Sequence, residues 1–406
     1  MPVQRSPLPA YLLALVAGAF TLATVIFPEV AFESAREGLR LWWEIVFPAL
    51  LPFFILSQML MGLGVVHWMG VLLEPLMRPV FRVPGTGSFV MAMGLASGYP
   101  IGAVLTGRLR EQGLVSRIEG ERLMSFTNTA DPLFMAGAVA VGMFGRPETA
   151  GTIMAAHYLA ALGTGLAMRW HGRGVQAPST GIRERGSLVS RAARALMEAR
   201  ARDGRSLGQL MGDAIRESVN TLLLIGGFII LFMVFIRVLT EVGAADALAG
   251  ALAALLRPLG LHPGTSAALV SGLFEITVGC QVASQAAAPL GQQLVAAGAV
   301  IAWSGLSVHA QVAALTRHTD LSIRPYVGAR IIHAILAAGL TFWLLRWGAP
   351  GWLAVPALAT DGGMLPGLRV SCGMAARVLA GLTLLAAGAL ALDLARRARI
   401  TVFRLR

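Results

Sequence analysis

Apolar runs close to membrane-spanning length alternate with short polar breaks along this chain. Residues 8–29, 44–63, 218–239, 326–347 and 373–392 each approach the roughly 20 apolar residues that carry a helix across hydrocarbon. Runs 122–143, 150–170 and 291–315 are also apolar, but the first and third carry polar residues in their middles. Residues 8–29 are long for a signal peptide, so they predict a retained helix. Two other stretches, 87–112 and 264–290, are interrupted by glycine or proline and are too short to cross twice. They predict re-entrant hairpins, each made of two half-helices that enter and leave on one side. Such backbone is tolerated only where protein or a water-filled cavity covers it. The expected fold class is an all-α polytopic membrane protein with about eight transmembrane helices and two re-entrant helical hairpins.

The hairpins resemble each other. P-G-T-G-S-F-V-M-A-M-G-L-A-S-G-Y (84–99) aligns with P-G-T-S-A-A-L-V-S-G-L-F-E-I-T (263–277) after one gap. An amphipathic stretch precedes each (65–82 and 241–260), and a helix with a polar middle follows each: F-T-N-T-A-D-P-L-F (126–134) and W-S-G-L-S-V-H-A-Q (303–311). The chain divides accordingly. Residues 1–39 form an N-terminal helix and short external loop, and 40–170 a first repeat with hairpin 87–112 and broken helix 122–143. A basic cytoplasmic linker covers 171–217. A second repeat, 218–347, holds hairpin 264–290 and broken helix 291–315. Residues 348–406 supply an external loop, a last helix and a basic tail. Gly/Pro-interrupted segments at matching places in two halves point to a transporter's binding site.

Charge fixes the expected orientation. Only 13% of the 406 residues are charged and 56% are hydrophobic; soluble domains carry about 25% charged residues. The net charge of +12 comes from arginine without lysine, concentrated in 171–206, in the loop 108–122 and in the C-terminal tail. Arginine beside apolar segments reads first as a topology signal, so no nucleic-acid partner is expected. With linker 171–206 inside, both termini fall in the cytoplasm, and the first repeat begins outside while the second begins inside. The repeat is then inverted. Two cysteines, Cys280 and Cys372, give neither a disulfide framework nor a metal site.

Three places can carry chemistry. At the first tip, Ser97, Gly98, Tyr99, Pro100 and Gly102 predict a turn with the following half-helix aimed at it, and free N–H groups there favour an anion. In T-N-T-A-D-P, Pro132 frees the carbonyl of residue 128, and Thr127, Asn128, Thr129 and Asp131 surround the unwound turn. That oxygen set suits a coupling cation or proton, with Asp131 the outlying carboxylate. In the second half, Glu275 and Thr277 stand at the tip, while Ser304, Ser307, His309 and Gln311 line the broken helix. Ser97, Gly98, Tyr99, Gly102 and Ser304 are therefore candidate substrate contacts. Asn128, Thr129, Asp131 and Glu275 are the candidates for a coupling Na⁺ or H⁺. No other cofactor and no enzyme activity are expected, because H-E-x-x-H, P-loop and dinucleotide fingerprints are absent.

The motifs S-G-Y-P-I-G-A, E-R-L-M-S-F-T-N, D-P-L-F and G-L-F-E-I-T resemble a known family. They are similar to sporulation integral membrane proteins built from two nucleoside-recognition (Gate) domains, distant relatives of the concentrative nucleoside transporters. The resemblance spans about residues 40–345 and is most specific at 95–103 and 121–134. It implies two inverted units, a bacterial membrane location around the developing forespore, and movement of dipicolinic acid. Ser97, Gly98, Tyr99, Thr127, Asn128, Glu275 and Thr277 carry the substrate region by position. Asp131 departs from the small polar residue expected before the proline. The leading expectation is thus an alternating-access transporter of a small anionic aromatic metabolite, embedded in the lipid bilayer, with homo-oligomers open to it. The alternatives are an ion-coupled nucleoside transporter and a non-transporting organiser of the spore envelope.

Overall fold

The computed structural model describes residues 8–173 and 187–347. The expected helix 373–392, the basic tail, Cys372 and linker residues 174–186 lie outside them. Helix and turn account for the described residues, with no strand among them.

Helices α1 (Leu8–Ile26) and α2 (Pro28–Leu41) are bent by 102° at Phe27. A π-helical turn, Trp42–Val46, leads into α3 (Phe47–Gly62), and Gly64, at φ +84°, turns the chain by 80° into α4 (Val65–Phe81). Then come α5 (Gly87–Ser97), α6 (Ile101–Glu111), α7 (Arg117–Thr127), a second π-helical segment Leu133–Met143, and α8 (Ala150–Met168). After α9 (Leu188–Asp203) and α10 (Leu207–Glu241), the second half runs α11 (Ala244–Leu256), α12 (Ser266–Phe274) and α13 (Ile276–Gln285). It ends with α14 (Leu290–Trp303), α15 (Gly305–Leu315) and α16 (Ile323–Trp347).

Among the described residues, Pro147–Met168, Leu207–Glu241, Leu290–Leu315 and Ile323–Trp347 are long and apolar enough to cross a membrane. The number rises to six if each bent pair, residues 14–44 and 50–81, counts as one span. Of the other expected spans, 122–143 is split at 128–132 into α7 and the π-helical segment. Helix α10 begins at Leu207, eleven residues ahead of the expected 218, because Ser206 and Gln209 form a reciprocal capping box there. Its 35 residues reach about 50 Å, well beyond the ~30 Å hydrocarbon layer, so its polar first turns emerge.

Helix pairs α5–α6 and α12–α13 occupy the two stretches where hairpins were expected, and each is followed by an interrupted helix. The loops 110–121 and 317–322, both arginine-bearing, meet at one surface. There Arg110 grips Asp320 bidentately at 2.7 and 2.9 Å, and Ser322 N–H donates to Glu121 at 3.0 Å. Glu121 also receives Arg117 at 2.9 Å and lies 2.6 Å from His171 Nε2. Burial alone would raise the Glu121 carboxyl, but the hydrogen bonds from His171, Arg117 and Ser322 outweigh it and hold the carboxyl below its ordinary range. A value depressed in the folded state gives stability that is full above the unfolded range and is lost as pH falls through the lowered one. Acidification below about pH 5 is expected to lower the melting temperature of the native protein more than that of Glu121→Gln. Paired thermal unfolding curves from pH 7 to pH 4 measure the difference.

Candidate functional site

The interruption in each half is built by close backbone approach. In the first half, Gly94, Gly98 and Gly102 surround the chain after α7. A Cβ on Gly94 would lie 2.0 Å from the Thr127 carbonyl oxygen, and one on Gly102 would lie 2.5 Å from it. A Cβ on Gly98 would meet Asp131 Oδ2 at 2.6 Å. The hairpin thus clasps residues 127–131 between its arms, which only glycine permits. In the second half, Ser304 and Gly305, at φ +72° and +76°, break the helix between α14 and α15. A Cβ on Gly305 would sit 2.9 Å from the Phe274 carbonyl oxygen, so this break rests on the second tip.

The freed backbone groups of the first break are met by side chains from α8 and α16. The guanidinium of Arg330, wholly buried, donates to the carbonyl of Asn128 at 2.8 Å and to that of Ser125. His157 Nε2 accepts the Ala130 N–H at 3.1 Å, and the Tyr158 hydroxyl donates to the Leu95 and Ala130 carbonyls. Asn128 Nδ2 donates to the Tyr326 hydroxyl at 2.8 Å, and Thr129 Oγ1 donates to the Gly94 carbonyl at 3.1 Å. Thr127 Oγ1 bonds back to the Leu123 carbonyl. The Tyr99 hydroxyl donates to Ile301 O at 2.9 Å, which ties the first tip to α14.

A cavity of about 720 Å³ lies where the two interruptions meet. Tyr99, Asp131, Glu275, Thr277 and Gln311, five of the residues singled out in the sequence, line it. The others stand behind it. Ser97, Thr127, Asn128, Thr129 and Ser304 are buried, and Gly102 is packed against α7. Among the described residues, Ser97 Oγ and Asn128 Oδ1 have no hydrogen-bond partner. Residue order did not single out Glu44, Phe134 or the α10 residues Ile225 and Ile229, all of which line the cavity. Glu44 stands in W-W-E-I-V, where a carboxylate at the end of an apolar run was the available signal.

Each carboxylate is held by a helix start. Asp131 Oδ1 accepts the Phe134 N–H and Glu275 Oε2 accepts the Val278 N–H, both at 2.8 Å. Where free N–H groups were expected to cradle an anion, the second tip spends one on its own acid. The cavity wall is mostly apolar, carries these two acids and Glu44, and among the described residues includes no basic side chain. Chemically it suits a small molecule with an apolar ring, bound beside protonated acids or an accompanying cation. No cluster of metal-ligating side chains exists among the described residues.

The family model for nucleoside recognition (Gate) matches residues 43–165 and 222–319. The two matched segments flank α9 and each contains one hairpin with its interrupted helix. The chain is also similar to a sporulation integral membrane protein, YlbJ, of Bacillus subtilis (strain 168). The two are 46% identical over 333 residues, covering 81% of this chain and 80% of the relative.

Proposed function

The chain belongs to the nucleoside-recognition (Gate) family of multi-pass membrane proteins, and on that premise we propose that it is a secondary transporter working by alternating access. Its substrate is a small anionic aromatic metabolite, dipicolinate first, moved during sporulation across the mother-cell-derived membrane around the forespore. Both termini are cytoplasmic, eight helices cross, and the two halves form an inverted repeat. The observation that supports this reading best is the convergence of Tyr99 and Asp131 from one half with Glu275 and Thr277 from the other on one cavity. Interrupted segments of two repeats meeting at a common cavity are the usual architecture of a transporter's binding site.

The acids set the condition for an anionic substrate. A dianion enters beside Asp131 and Glu275 only when protons or a cation neutralise them, so H⁺ or Na⁺ travels with it. Uptake into proteoliposomes under an imposed pH or Na⁺ gradient tests this. Dipicolinate accumulation is expected to follow one gradient, and Asp131→Asn with Glu275→Gln is expected to make the remaining uptake indifferent to it. Gradient-independent uptake by the native protein would falsify the coupling. The two carboxylates in an apolar cavity also favour a second reading, ion-coupled transport of a nucleoside whose sugar hydroxyls they accept. Excess uridine then abolishes dipicolinate uptake or is itself accumulated; an inert uridine leaves the first reading standing.

A further inference from the structure

A second pocket, of about 280 Å³, lies where α6, α10 and α15 converge. Val104, Gly107, Arg108 and Glu111 reach it from α6, Glu217 and Thr221 from α10, and Leu315 stands at the end of α15. Unlike the central cavity it is rich in charge, with Arg317 and His318 also on its wall. Helix ends bearing both signs belong at a membrane surface, not in hydrocarbon. The Arg110–Asp320 pair ties the neighbouring ends of α6 and the α15–α16 connection, so this pocket opens beside the surface where the two arginine-bearing loops meet.

The two pockets share walls. On α15, Gln311 lines the central cavity and Leu315 the second pocket. On α10, Ile225 lines the first and Thr221 the second. In both cases four residues, about 6 Å along the helix, separate them. What fills that gap is apolar: Leu222 is fully buried, and Val104 and Leu315 pack in the same cluster. Across the mouth, Arg108 of α6 forms an ion pair with Glu217 of α10.

We propose that the charged pocket is the second vestibule of the central cavity, closed by a plug one helical turn thick and latched by the Arg108–Glu217 pair. This deepens the transporter reading and rests on it. The latch joins the hairpin arm α6 to α10, so separating them opens a path past Val104, Leu222 and Leu315 to Gln311 and Ile225. Half-exposed as Glu217 is, the pair biases the closed state modestly, while the plug does most of the sealing.

Cysteine labelling tests the path without any substrate. Ile225→Cys is placed in a Cys280→Ala, Cys372→Ala background and reacted with a membrane-impermeant maleimide from the face that bears Arg110 and Asp320. Leu315→Ala is expected to raise the labelling rate about tenfold, the ratio set by a shift of about 1.4 kcal/mol in the closed-to-open balance. Val104→Ala serves as the second plug variant, and a native elution profile certifies each. Glu217→Gln should raise the rate less, and the swapped pair Arg108→Glu with Glu217→Arg should return it to the parental value. Plug variants that label at the parental rate overturn the pathway, and a swapped pair that labels like Glu217→Gln overturns the latch. Labelling that rises while no solute is accumulated leaves the pathway standing and sinks the transporter reading instead.

Discussion

Gly98→Ala is expected to cost several kcal/mol and to displace Asp131, whereas Gly113→Ala should cost about 1 kcal/mol. Both glycines have positive φ, +78° and +69°, so backbone strain alone does not separate them. Gly98 adds ψ −168°, a region only glycine occupies readily. Its surroundings then decide the outcome. A Cβ there would sit 2.6 Å from Asp131 Oδ2 and 2.9 Å from both Asp131 Cβ and its amide nitrogen, while a Cβ on Gly113 meets nothing within 4 Å. Two of the three blocking positions are rigid, so the chain at 131 must move. Since Asp131 lines the cavity and caps the segment after Pro132, the same methyl group should impair solute uptake along with stability. Thermal unfolding of the two variants in detergent, with uptake in proteoliposomes, gives the comparison. Equal melting temperatures for the two would refute the tight contact between the first tip and the broken turn.

Removing the Arg330 fork should be at least as damaging. Arg330→Met preserves length and apolar bulk but leaves the Ser125 and Asn128 carbonyls without their donor, deep between α7 and α16. Buried acceptors stripped of a charged donor cost about 1.5–3 kcal/mol each, so a loss of about 3 kcal/mol or more is expected. These carbonyls end a half-helix, and the guanidinium also offsets the negative end of its dipole. Its plane reaches both carbonyls at once and lies 5.2 Å from the Tyr326 ring centroid, a geometry that a single ammonium cannot reproduce. Arg330→Lys should therefore recover less than half of the loss. Folded yield and melting temperature in detergent measure both variants. Full recovery with lysine would mean that the positive charge, not the forked geometry, supports the break.

Several features were legible in the residue order. Long apolar runs announced a helical membrane protein, and G-x-x-x-G-Y-P with its partner G-L-F-E-I-T announced two interrupted hairpins. Asp131 and Glu275 stood out because a carboxylate within an apolar run is costly. Periodicity had less to say where the helix itself changes type. The segment Leu133–Met143 keeps an apolar composition throughout, so no sequence signal marks its π-helical geometry.

The division between cavity and support was decided by tertiary structure. By itself, the sequence determined which residues carry charge or break helices, because those properties belong to single side chains and their near neighbours. It named Asn128, Thr129 and Asp131 together, since they share one unwound turn. Only packing separated them. Tyr326 and Arg330, about 200 residues further on, bond the Asn128 side-chain nitrogen and backbone carbonyl, and Gly94 accepts from Thr129, while Asp131 and Glu275 line the cavity. Which polar groups line the cavity depends on what distant helices bring to the same point, and local order does not encode that.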